Sequence, residues 1–116
     1  MKLPNADLAV VVQPKITRYL LDPTSPKGKG KALFFRAFGF RIEAWEVMAE
    51  ALKQHATAHE VASTEADEHG IRYAVEGTLN TPDDRNPMVR TVWIIREGES
   101  IPSLVSAYPL KQRGEA

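Results

Sequence analysis

The apolar residues of this chain change their spacing near residue 60, and that change constrains the fold more than any other feature of the sequence. Before it, in RIEAWEVMAEALKQHATAHE, residues Ile42, Trp45, Met48, Ala49, Leu52, His55, Ala56 and His59 recur every three or four positions. That spacing places them on one face of a helix. Glu43 and Glu46 fall in its first turn, where the helix dipole favours acids. After residue 60 the period drops to two. In GIRYAVEGTL, Ile71, Tyr73 and Val75 point one way and Arg72, Ala74 and Glu76 the other. MVRTVWIIR is apolar on both faces, as a central strand should be. IPSLVSAYPL reads as a last strand, with Pro102 and Pro109 near its ends, where a strand tolerates them. HEVASTEADEH reads as a further strand with a loop, and TPDDRNP and EGES supply turns. Helices first and alternation afterwards make an α+β pattern: N-terminal helices packed on a roughly four-stranded antiparallel β-sheet.

The front of the chain is more broken. LAVVV (Leu8–Val12) is short and β-branched and reads as a strand. PKITRYLL reads as a helix with Pro14 in its first turn and Ile16, Tyr19 and Leu20 on one face. DPTSPKGKG is a loop. KALFFRAFG reads as a short helix that buries Leu33, Phe34 and Phe38 and stops at Gly39. A chain of 116 residues is the size of one domain. Residues 1–110 are expected to form it, with 111–116 as a frayed tail. The N-terminal apolar run is broken by Pro14, too short for a signal peptide or a membrane span, so a cytoplasmic protein is expected.

Chemistry is narrowed by what the chain lacks. There is no cysteine, which removes disulfides, thiol nucleophiles and thiolate metal sites. His55 and His59 are spaced for zinc, but HATAH has no glutamate after its first histidine, so no metal or cofactor is expected. Gly30-Lys31 is followed by Ala32 rather than Ser or Thr, which removes a nucleoside triphosphate loop. The net charge of zero hides an asymmetry: residues 1–41 carry eight Lys or Arg and two acids, a net +6, and residues 42–116 carry seven and thirteen, a net −6. Lys27, Lys29 and Lys31 stand at or before a helix N-terminus, where free N–H groups favour anions. They are the candidate anion site. Thr91 and Ser106 are candidate polar residues of the sheet. Arg90, Tyr108 and His55 would form a metal-free set for phosphodiester cleavage, if they meet in one cleft.

The runs KITRYLLDPTSPKGKGKALFFRAFGF, EHGIRYAVEGTL and VRTVWIIREGESIPSLVSAYPL together resemble a small bacterial family, the domain of unknown function DUF6883. The resemblance extends from Lys2 to Leu110, and it is carried most by Tyr19 to Ala32, Arg90 to Ile94 and Pro102 to Tyr108. It implies a two-protein system, since such genes often neighbour another small gene. The element order is similar to that of metal-free ribonuclease toxins. The family pattern often has a histidine where this chain has Ser25, and Thr where it has Ser106. The function expected from all this is a binding or regulatory component of a toxin–antitoxin-like pair, with a small protein or RNA as partner and no membrane. The alternatives are a metal-independent ribonuclease-like domain and a self-associating structural protein.

Overall fold

The structure, a computed structural model, describes residues 1–110; the expected tail at 111–116 lies outside the described residues. Four strands form an antiparallel meander in the order β1-β2-β3-β4: Val61–Asp67, Gly70–Thr78, Met88–Arg96 and Ser103–Pro109. Tight turns join β1 to β2 and β3 to β4. At the second, Gly98 takes a positive φ of 82° and the N–H of Glu99 donates to Arg96 O at 2.8 Å. The longer β2–β3 connection is held from within. There the Thr81 N–H donates to Asn86 Oδ1 at 2.9 Å, and the Thr81 hydroxyl donates to Asp83 Oδ1 at 2.8 Å.

The helices precede the sheet, as the period change predicts. A turn over Gln13–Lys15 (α1) runs into a π-helical stretch, Ile16–Leu20, closed by Leu21 N–H donating to Ile16 O at 2.8 Å. Lys29–Ala37 forms α2 and Trp45–Ala58 forms α3. The stripe read from the sequence is the buried side of α3: Met48, Ala49, Leu52, His55 and Ala56 face the core. Val75 of β2 and Val89, Thr91 and Trp93 of β3 meet it from the sheet, all fully buried. The chain closes tightly at the end of α3. The ring of His59 lies flat on Gly77, where a Cβ would come within 2.3 Å of it, so β2 needs a residue without a side chain there.

Two expectations for the front half are corrected. Leu8–Val12 is not a strand. Ala6–Leu8 is a 3-10 turn, and only Val10 bridges to Ser103, with Val10 N–H donating to Pro102 O at 2.9 Å. The segment alternates as a strand would, with Ala9 and Val11 buried and Leu8, Val10 and Val12 exposed. It joins the sheet edge through Val10 alone, whose N–H donates to Pro102 O and whose C=O accepts from Leu104 N–H at 3.0 Å. In α2 the buried residues are Ala32 and Phe35, not the expected Leu33, Phe34 and Phe38. Leu33 is 55% exposed, while Phe34 and Phe38 stack half-buried with ring centroids 4.9 Å apart. A nine-residue helix with apolar residues on most of its circumference leaves the choice of face to its neighbours. Among the described residues no helix is long and apolar enough to cross a membrane.

Candidate functional site

The sheet has two faces, and the candidate residues divide between them. On the face under α3 lies His55, 2% exposed. The Trp93 indole N–H donates to Thr91 Oγ1 at 2.8 Å, and that hydroxyl is 3.1 Å from His55 Nδ1. His55 Nε2 faces the carbonyl oxygens of Gly77 at 3.1 Å and Val89 at 3.0 Å. Carbonyls only accept, so Nε2 carries the proton and Nδ1 accepts from Thr91. The ring is thereby held neutral. Burial pushes its pKa down to about 4, and the nearby His59 adds to this against the carbonyl acceptors. Such a residue is part of the core.

Arg90 and Tyr108 face the other way. The register sets Glu76, Arg90 and Tyr108 side by side across β2, β3 and β4, with Ala74, Val92 and Ser106 in the next row. Side chains alternate along a strand, so both rows lie on the face turned away from α3. Arg90 Nη2 donates to Glu76 Oε2, and its guanidinium carbon stands 6.0 Å from the centre of the Tyr108 ring. Burial opposes its charge, but the Glu76 carboxylate it bonds and the neighbouring Tyr108 phenol outweigh burial and raise its pKa above the ordinary value. Its Nε–H is buried and has no partner among the described residues. The structure therefore does not bring His55 to Arg90 and Tyr108, and Thr91 and Ser106 do not share a face.

What it does bring to Ser106 is Tyr19, whose hydroxyl shares a hydrogen bond of 3.0 Å with Ser106 Oγ. The ammonium groups of Lys15 and Lys31 stand 5.6 and 5.5 Å from the centre of the Tyr19 ring. Partial burial raises the phenol's pKa, but the Ser106 hydroxyl and the two lysines outweigh it and bring it below the ordinary value. Ser106 and Tyr108 are two residues apart on β4, about 7 Å along the strand. One face of the domain thus carries Lys15, Lys31, Tyr19, Ser106, Tyr108 and Arg90. Lys27 and Lys29 are exposed in and beside the turn that begins α2. Among the described residues none of these lysines forms an ion pair with a carboxylate. The basic front of the chain is not neutralised there by its acidic back. Two ammonium groups and three hydroxyls suit a phosphate, beside the Glu76-paired guanidinium of Arg90. Among the described residues no three His, Asp or Glu side chains gather for a metal.

Reading the sequence alone misses Tyr19 and Lys15, because Tyr19 counts there as an apolar helix residue. The signal is present: a lysine four residues before a tyrosine in a helical segment can reach its ring. Gly28 sets how closely α2 meets the preceding stretch. A Cβ there would lie 2.4 Å from Tyr19 O, so α2 begins against the backbone of the π-helical stretch and Lys31 reaches Tyr19. Ala32, fully buried, keeps the two close. Gly28→Ala is therefore expected to destabilise the domain by about 2 kcal/mol in urea unfolding, since backbone must move. Gly30→Ala, with nothing within 4 Å of the added Cβ, is expected to raise stability slightly.

The family model described as the domain of unknown function DUF6883 matches residues 2–111. A search of curated proteins finds no match. A solved structure, a contact-dependent growth inhibition toxin–immunity protein complex from Klebsiella pneumoniae 342, contains a chain of similar fold. The TM-score is 0.69 at 17% identity, over 87% of this chain and 99% of that one.

Proposed function

The chain belongs to the DUF6883 family, and on that premise we propose that it is the RNA-directed member of a two-protein system of the toxin–immunity kind. The observation that carries the reading is the cluster on the outer sheet face, where Lys15 and Lys31 flank Tyr19 and Tyr19 bonds Ser106. Arg90, paired with Glu76, stands in the next row. Phosphate contacts from Lys, Arg, Ser and Tyr are what position an RNA backbone. Tyr108 offers a flat aromatic edge for a base. The solved neighbour, a toxin–immunity complex, supports a small protein as the second partner. Such a protein would act by covering this face.

The chemistry is binding first. The imidazole of His55 is locked in the core. A second reading, metal-independent cleavage, is favoured by one observation. The Tyr19 hydroxyl bonds Ser106 Oγ at 3.0 Å with the Lys31 ammonium 5.5 Å from its ring centre, which lowers its pKa and makes it a candidate for moving a proton.

One experiment addresses both. The purified protein is incubated with total RNA and with tRNA in the presence of a chelator, beside Arg90→Ala and Lys31→Ala. Retarded but intact RNA is expected, with affinity about tenfold weaker in either variant. Cleavage that both variants lose would establish the second reading. Free, intact RNA with the wild-type protein would remove both.

A further inference from the structure

The outer sheet face also carries a groove of about 540 Å³ that shares Lys15 with the cluster at Tyr19. That volume lies within the range of small-molecule sites, roughly 300–1,000 Å³. We infer that this groove is a nucleotide subsite, with a base against Val12, Ile94 and Val105 and its phosphate held by Lys15 and Arg96. The inference rests on the RNA reading above and extends it by one nucleotide.

Three features of the groove point to a nucleotide. Its lining offers apolar surface to a base: Val12, 53% exposed, the half-buried Val105 and the largely buried Ile94 of β3. Two of its cations are uncommitted. Lys15 and Arg96 form no ion pair among the described residues, although Glu97 and Glu99 follow Arg96 in the turn. Arg72 also lines the groove, but Asp67 holds it at 2.5 Å, so it shapes the wall more than it adds charge. The exposed His69 also lines the groove. Finally, Lys15 belongs to both places. It lines this groove and stands 5.6 Å from the Tyr19 ring centre. A strand with one phosphate at Lys31 and Tyr19 would carry its neighbour past Lys15 toward Arg96. An acidic peptide would find the charges but would leave the apolar wall wet.

The test uses anisotropy of a labelled single-stranded RNA octamer, titrated over a range of salt concentrations with the wild type, Arg96→Ala and Lys31→Ala. Arg96→Ala is expected to weaken binding about fivefold to tenfold and to lower the salt slope by about one, the signature of one lost phosphate contact. Adenosine monophosphate is expected to displace the octamer at a concentration at least about tenfold below that of inorganic phosphate, because the base adds apolar contact. Suppose Arg96→Ala changes neither affinity nor slope while Lys31→Ala weakens binding. The RNA reading would then stand and the subsite would fall. Equal competition by inorganic phosphate, or displacement by polyglutamate as strong as by RNA, would also overturn the subsite. No octamer binding by the wild type would remove both.

Discussion

His55→Ala is expected to lower the unfolding free energy by about 3 kcal/mol while leaving RNA affinity within about twofold of the wild type. The side chain is 2% exposed and joins α3 to both central strands. Removing it leaves a cavity beside Met48 and Leu52 of the same helix face, and strips Thr91 of its partner. The Trp93 indole then donates to a hydroxyl that itself has nowhere to donate. Each of these losses lies in the category of large core effects. Urea unfolding followed by tryptophan fluorescence reads the stability, and the octamer titration reads the affinity. A variant that stays as stable as the wild type but loses RNA binding would return His55 to the functional site.

The second large effect is a loss of stability in mild acid. His55 is neutral in the folded protein, with its pKa pushed down to about 4. In the unfolded chain it titrates near 6.5. Between these values the unfolded state binds more protons, so stability rises with pH across that window. Full stability is present above about pH 6.5 and is lost progressively down to about pH 4, a change of about 3 kcal/mol from this one residue. The carboxylates with lowered pKa, such as Asp67 and Asp83, are exposed and act further down the pH scale. Unfolding at pH 7, 6, 5 and 4.5 should show the decline, and His55→Ala should flatten it. A wild-type profile that is level from pH 7 to pH 5 would mean that the imidazole is not held neutral.

The sequence was readable wherever a repeat of side chains reports directly on the backbone. The α3 stripe from Met48 to Ala56 and the alternation in GIRYAVEGTL survive in the structure because a helix and a strand each have one fixed period. Short apolar runs carry no such period. LAVVV reads as a strand and is mostly not one: it makes a single bridge, at Val10, between the 3-10 turn at Ala6–Leu8 and the helical turn that begins at Gln13. KALFFRAFG is apolar nearly all round, so only its neighbours choose Phe35 over Leu33.

The candidate site was legible in half. Spacing shows that Arg90 shares a face with Tyr108 if β3 and β4 pair, and the observed register pairs them. Spacing cannot say which face of the sheet α3 covers. That choice hides His55 with Thr91 and leaves Arg90 outside. Nor can it say that Tyr19 reaches Ser106, a contact across 87 residues. The sequence alone determined the order of the elements, the antiparallel meander and the buried stripe of α3, because these follow from local periodicity. Tertiary structure alone decided which polar residues meet. A histidine is a core residue or a site residue according to what lies across from it. That is fixed by packing between distant segments, and no local pattern records it.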